Sequence, residues 1–578
     1  MISSSRSFTV CGVVMSVGSG LLALAALSSK PAGASVMTGM NAYWNFDETS
    51  GTTAANSGSA GATLDGTLLE EAVFAPGLFG NAVSLPGRPV GYTQGDPTSY
   101  VNVGNQVIAD GAGAYTVSLW FNTPEGSGRR QVLFESGTNY ALSAGIAPAG
   151  RVEHYVQAGN TANKVTSFTP ALNQWHHLAI TYNHDGGSPG TGTSKIYING
   201  AEYTDAEITS TGALGSTTYF RIGQHRYPYG EYQSFNGLID DMAIWDGRTM
   251  TEHEVYTIYR MGQAGYTLAF DATTHIKADN TDNLNLGSSW QSGVAPDASS
   301  YLVFNATYAQ TGALDTGGAL PVAGLRVTDG TTLINVNNTS ANYLQVGALG
   351  IDMMTAQRNL TVANLRLGAD QSWDIGSGRT LSVGSLSGDH AVTKTGPGTV
   401  VLTGAGNSTG GATLTGGTLQ VGHNDALGTG PLTLTAGTLS SNSTSSRTLA
   451  NEVTISGNVT LGHSTNRGTL TFTGDVDLGG ATRQITTNAN VTLSGVVSDG
   501  GLIKAGGGTY STLTLTRANT YAGGTTLAAG TLRVGDHAAL GTGPLVLNAG
   551  TLSAVGTIAR TLNNDVTAGG NITLGTAA

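Results

Sequence analysis

Two histidines stand side by side in the run Gln-Trp-His-His-Leu, at His176 and His177. The run is strand-like, and neighbouring strand residues point to opposite faces, so the pair lacks the geometry to hold one zinc ion. His177 is expected as a hydrogen-bonded histidine in the core or at its rim. Carboxylates offer the next chemistry. Glu125 in "WFNTPEG" and Glu135 in "VLFESGTN" each lack an acidic partner two residues away. Ordinary glycoside hydrolysis needs two carboxylates flanking the bond. These runs therefore favour binding over cleavage, and a hydrolase site would have to assemble from acids on separate strands. Thiol chemistry is confined to Cys11, the only cysteine. After Ala391 the only lysines are Lys394 and Lys504, too few for an acid–base groove of the kind a polysaccharide-cleaving site needs.

Aromatic residues supply a different chemistry, stacking on sugar rings. Trp44, Phe46, Trp120, Trp175 and Trp245 lie in strand-like runs, where large rings serve as core. Tyr227, Tyr229 and Tyr232 lie in the loop-like "HRYPYGEYQ" and are the candidate ligand-stacking platform.

The elements that must position these residues are β-strands. Only 11% of the 578 residues are charged and 85 are Gly, a composition that fits neither a disordered acidic chain nor a helical one. The length points to two or three domains. The net charge is −12. From Ala391 onward there are 8 Lys/Arg and 7 Asp/Glu, leaving 17 against 30, or −13, in the front part. That acidity argues against nucleic acid or an anionic membrane as partner.

Residues 1–34 read as an export signal. Arg6 supplies positive charge, Val13–Leu27 an apolar core, and "PAGAS" an A-x-A site with cleavage after Ala34. Cys11 lies inside this segment, so the mature chain is expected to have no disulfide. No other stretch approaches the ~20 apolar residues of a membrane span. The expected location is the cell surface, outer membrane-associated or extracellular.

From 38 to 262 short alternating runs dominate. "AYTVSLWFN" places Tyr115, Val117, Leu119 and Phe121 on one face, and Asn199-Gly200 sits between two extended runs as a hairpin turn. "TMTEHEVYTIY" reads as a short closing helix with Thr251 as N-cap and Glu254 completing a capping box. The ordered landmarks "AYWNFDETSG", "GLFGNAVSLPG", "YVNVGN", "YTVSLWF", "NQWHHLAITYN", "KIYINGAEY", "FRIGQ" and "FNGLIDDMAIWDGRTMTEHEV" closely resemble the LamG-like jelly rolls of the concanavalin A-like lectin/glucanase superfamily. The resemblance implies two antiparallel sheets, one concave and one convex. It also implies a structural calcium ion on the convex side, held by an acid after the first strand, loop carbonyls and an acid in the last strand. Asp47, the loop Gly77 to Gly80 and Asp241 match those places by order. Two carboxylates with carbonyls and waters are enough for the 6–8 oxygens calcium takes. The paired-carboxylate strand of the family's glucanases, of E-x-D-x-x-E type, is absent.

Behind residue 263 the texture changes to Gly, Thr, Leu, Val and Asn, with alternating runs such as "TLTLTR" and "NVTLSG". Residues 417–462 align with 530–575 without a gap, 30 of 46 being identical, a period of 113. Upstream, "TKTGPGTVVLTG" aligns with "IKAGGGTYSTLTLTR" after a three-residue insertion. A long period built of several short strands predicts a solenoid, here a right-handed parallel β-helix of about five or six coils per period. The repeats resemble the autotransporter-associated β-strand repeat, with "SSWQSGVAPDASSYLVFN" (288–305) as the usual lead-in. The expected division is 263–390 for lead-in and first coils and 391–578 for the repeats. The second copy stops where the first continues, which leads to the expectation of missing chain or of a partner over the last coil.

The sequence thus predicts an all-β chain, an antiparallel two-sheet jelly roll followed by a parallel β-helix. The function expected is non-enzymatic presentation of a lectin-like domain on a stalk, toward an extracellular glycan or surface protein. The alternatives are a self-assembling surface-layer component and a polysaccharide-degrading enzyme.

Overall fold

The structure is a computed structural model that describes residues 35–87, 99–126, 128–137, 141–158, 160–184, 191–210, 212, 214–225, 232–405, 407 and 409–576. The expected export signal lies outside them. Among these residues no helix is long and apolar enough to cross a membrane.

The front part is two stacked antiparallel sheets. The first runs in the order Gly192–Ile198, Trp175–His184, Ala114–Asn122, Gly237–Asp246, Asn81–Leu85, with shorter strands at its edges. The second runs Asn160–Val165, Val152–Ala158, Leu142–Ile146, Arg130–Ser136, Phe220–Ile222, Tyr100–Asn102, Gly66–Leu69. Period two decides what lies between them. Val117, Leu119 and Phe121 meet Leu178, Ile180 and Ile196 of the same sheet, and Val101, Phe134 and Phe220 of the other, in one core. Trp44 and Phe46 are fully buried there, whereas Trp175 at a strand start is only half-buried. Asn199 and Gly200 both take positive φ, the conformation a two-residue hairpin turn demands.

The first sheet's outer face is covered. Helix α1, Glu252–Gln263, begins with the expected capping box of Thr251 and Glu254. Its Tyr259 ring stacks on Trp120 at 6.0 Å, and His177 lies between them and Ser118, whose hydroxyl is 2.8 Å from Nε2. A Cβ on Gly262 would come within 2.2 Å of the Trp120 ring, so only glycine lets the helix seat this closely.

Beyond α1 the chain winds into a parallel β-solenoid of about 13 turns over 301–575. Successive rungs pair in register, and like residues stack on like. Leu381, Val400, Leu419, Leu439 and Leu461 form one such interior column. Full burial of each such side chain contributes ~1.5–3 kcal/mol. Lys394 and Lys504 serve this architecture. Each is buried at a glycine corner, where Lys394 Nζ donates to the carbonyls of Thr395, Gly396 and Gly416 and Lys504 Nζ to those of Ala505 and Ala529. In the last described rungs Val566 and Leu574 are 57% and 69% exposed, where their counterparts Val453 and Leu461 are 3% and 1%.

The jelly roll and the solenoid share a third core. Tyr43, Ala179, Tyr197 and Trp245 of the first sheet and Val255, Ile258 and Met261 of α1 pack against Tyr301, Val303, Ala323 and Leu349. Tyr301 and Val303 alternate with the interior residues Leu302 and Phe304, and Ala323 and Leu349 lie on the following rungs, so the contact is made on the solenoid's flank. Polar ties reinforce it. Arg260 pairs with Asp374 and donates to the Leu349 carbonyl at 2.9 Å, while Arg326 lies 3.6 Å over the Tyr256 ring and 3.3 Å from Asp352.

Candidate functional site

The first sheet is covered by α1 and the solenoid; the second sheet's outer face lies on the far side from the solenoid, and its middle is buried, with Glu135 1% and Glu153 6% exposed. The residues alternating with Val101, Phe220, Leu142, Ala144 and Val156 of the core must face outward there. Register lines them up across six strands: Asn102 beside Arg221, Arg221 beside Glu135, Glu135 beside Ser143, Ser143 beside Tyr155, Tyr155 beside Asn163. The result is a polar row crossing the sheet, with a half-buried tyrosine within it.

Next to this row is a cavity of about 220 Å³ lined by Arg130, Ser143, Gly145, Glu153, Tyr155 and His225, among others. Glu153 is held by Arg130 at 2.5 Å, and the Asn163 amide reaches it at 3.4 Å. Glu135 accepts the Tyr219 hydroxyl at 2.5 Å and faces His225 at 3.4 Å. Each carboxylate thus has its own donors; Glu153 is oriented as an acceptor at the cavity wall, while Glu135 is buried beneath it. The two are tied to different partners on strands separated by Leu142–Ile146.

The residues singled out from sequence are distributed as follows. Glu125 sits away from this row, paired with Arg129 at 2.6 Å and bonded by Asn236. Tyr227 and Tyr229 lie outside the described residues. Tyr232 opens a short strand that pairs in parallel with Arg130–Ser136, opposite Arg130 itself. His176 and His177 point to opposite faces, His176 toward Phe121 and Phe168 and His177 toward Trp120. Burial pushes His177 down to about 3, so it is neutral at physiological pH. Sequence reasoning missed Arg130, Ser143, Glu153, Tyr155 and His225. The alternation in "VEHYVQA" places Glu153 and Tyr155 on one face and was the available signal.

The Gly77–Gly80 loop is a tight turn closed by Gly77 N donating to Gly80 O at 2.9 Å. Asp47 reaches it from one side, accepting from Asn81 N at 3.0 Å, and a Cβ on Gly80 would fall 2.2 Å from its carboxylate. The second acid at the loop is Asp240, not the expected Asp241. Asp240 accepts from Leu78 N and Phe79 N at 2.8 and 3.0 Å, and a Cβ on Gly77 would lie 2.7 Å from it. Asp241 turns away to the Tyr43 hydroxyl and Leu268 N. The reason is a register irregularity between Asp240 and Ala243, with Asp241 at positive φ, which interrupts the alternation that counting assumes. Asp240 Oδ1 is buried without a hydrogen-bond partner among the described residues. Burial pushes the carboxyl up to about 8, with Asp241 and Asp47 adding to the rise. An orphaned acceptor beside a second carboxylate and turn carbonyls fits a hard cation. Among the described residues no group of three or more His, Cys, Asp or Glu side chains gathers as a metal site, so carbonyls and waters would have to complete the shell.

Comparison with known proteins follows the same division. Domain 4 of AbnA, an extracellular arabinanase of Geobacillus stearothermophilus, in complex with arabinotriose, shares 20% identity over 38% of this chain and 98% of that one, with a TM-score of 0.29. The binding domain of botulinum neurotoxin serotype D/C shares 14% over 39% and 53%, with a TM-score of 0.30. Trypanosoma rangeli sialidase shares 12% over 40% and 34%, with a TM-score of 0.29. No curated protein matches, and none of these likenesses points to a specific enzyme activity. Residues 94–256 match the concanavalin A-like lectin/glucanases superfamily, and residues 392–421 and 502–534 match the passenger-associated-transport-repeat; the first match lies in the jelly roll and the other two in the solenoid.

Proposed function

We propose that this chain is an exported surface protein that binds an extracellular glycan, or a glycan-bearing protein surface, through the cavity on the outer face of its second jelly-roll sheet. The observation that carries the reading is the polar row with its adjoining cavity, on the sheet face that lies away from the solenoid among the described residues. Glu153, oriented by Arg130 at the cavity wall, is suited to accept sugar hydroxyls, Arg130 and Asn163 to donate, and Tyr155 to lie against a ring. The superfamily match over 94–256 and the transport repeats support an exported lectin-like role.

A structural calcium ion belongs to the same proposal. Asp47, Asp240 and carbonyls of the Gly77–Gly80 loop would hold it. When bound, it neutralises two carboxylates and stiffens the turn.

Glycan arrays with the whole chain, in calcium and in chelator, test both parts. Binding to one glycan class is expected, weakened tenfold or more by Glu153→Gln. Chelation is expected to lower the melting temperature and to leave the ligand class unchanged. Absence of binding to any polymer or cell surface would sink the reading. Concentration-dependent self-association in light scattering would then favour the surface-layer alternative, and release of reducing ends from a polymer would favour an enzyme.

A further inference from the structure

The two repeat copies turn the same corner differently. In the first, Gly396, Pro397 and Gly398 carry the chain from the strand of Lys394 to Thr399–Leu402. In the second, six residues, 506–511, make the passage from Lys504 to Thr512–Leu515. The first copy shows that the turn closes without the three extra residues. Ser511 anchors the longer corner inward, its hydroxyl 3.0 Å from that of Thr487 and 3.2 Å from Lys504 Nζ. Tyr510 instead projects outward, 44% exposed.

A second loop meets it there. Arg467 lies with its guanidinium 4.8 Å over the Tyr510 ring. Its Nε donates to the Ser464 carbonyl at 2.5 Å, which fixes the plane, and neither terminal nitrogen has a hydrogen-bond partner among the described residues. Between the loops is a cavity of about 240 Å³ lined by Ser464, Arg467, Asn488, Thr509, Tyr510 and Ser511 together with two glycines. The lining holds one full charge, that of Arg467, and no carboxylate. A fixed guanidinium edge is a two-pronged donor for a carboxylate, and an exposed ring beside hydroxyl and amide groups suits a pyranose.

We propose that this corner is a second binding site, on the solenoid, for an acidic saccharide of the uronate type. The sugar carboxylate sits on the terminal nitrogens of Arg467 and the sugar ring against Tyr510, with Asn488 and Thr509 at its hydroxyls. The charge distribution agrees with such a ligand. The front part carries −13 and repels a polyanion, while the part from Ala391 onward is nearly neutral. This site stands apart from the one on the jelly roll.

The test titrates the whole chain with trigalacturonate and with its methyl ester at low ionic strength. Binding of the acid form is expected, with the ester at least tenfold weaker. Arg467→Gln and Tyr510→Ala are each expected to weaken the acid form tenfold or more with an unchanged circular dichroism spectrum. Arg366, which lies 5.5 Å over Tyr343 and already donates to its hydroxyl at 3.3 Å, is the control, and Arg366→Gln should leave binding unchanged. No binding of the acid at millimolar concentration, equal binding of the ester, indifference to both variants, or an equal loss in the control would each overturn the proposal.

Discussion

Gly262 shows how a single missing methyl group sets a larger contact. An added Cβ would sit 2.2 Å from the Trp120 ring. Gly262→Ala should therefore destabilise the chain by about 1–3 kcal/mol, despite alanine's better helix propensity. Urea unfolding followed by tryptophan fluorescence checks this. The buried histidines give a pH dependence. Burial holds His154 at about 4 and His177 at about 3, below the ordinary 6.5. Between those values and 6.5 the unfolded chain binds the proton and the folded chain does not. Stability from these groups therefore falls as pH drops below 6.5, by roughly 3 kcal/mol for His154 at the acid limit. Unfolding midpoints at pH 7 and 4.5 should differ less in His154→Gln than in the parent chain. At this scale the sequence was partly legible. The opposed faces of His176 and His177 follow from strand period alone. That Asp240 rather than the expected Asp241 faces the Gly77–Gly80 loop was not readable, because an irregularity of one strand against its neighbour leaves no mark in the residue types. Glu153, Ser143 and Arg221 come together only through the pairing order of strands, which no local pattern encodes.

Corners and caps carry the solenoid at the scale of its elements. Arg358 is buried at the start of the stack and donates to the carbonyls of Asn305, Tyr308 and Asp329 at 2.6–2.9 Å. Replacing it by methionine leaves those carbonyls unpaired in a dry site, and a loss of about 2–4 kcal/mol is expected. Amide hydrogen exchange should show the protection loss centred on Ser300–Phe304 and its neighbours rather than spread along the stack. Strands and repeats were the most readable part of the chain. The Thr-Leu alternation reports directly which side of each rung is interior, and the 113-residue period reports stacking. Roles such as that of Arg358 were not readable, since its three carbonyl partners lie 29 to 53 residues away.

At the scale of the molecule, the shared core makes the jelly roll and the solenoid a single compact unit rather than beads on a linker. Arg260→Ala breaks a buried ion pair with Asp374 and removes the donor to Leu349, a loss of about 3–5 kcal/mol concentrated at the junction. Calorimetry should then resolve two transitions where the parent chain gives one, and protease should cut between 263 and 273. The change of composition near residue 263 announces a second architecture but not this contact, because Tyr301 and Leu349 read as ordinary strand residues. The repeat has a further consequence, for how the chain threads itself. Two copies with 30 of 46 residues alike offer a growing stack nearly equal candidates for one rung, and a slip by a whole copy would still bury leucine on leucine. Only the segment between the copies breaks the tie. Among the described residues the long strand Val476–Thr487, with its register shift after Asp477, and the enlarged corner at Tyr510 have no second copy. They act as punctuation, marking for the folding chain which copy has already been wound.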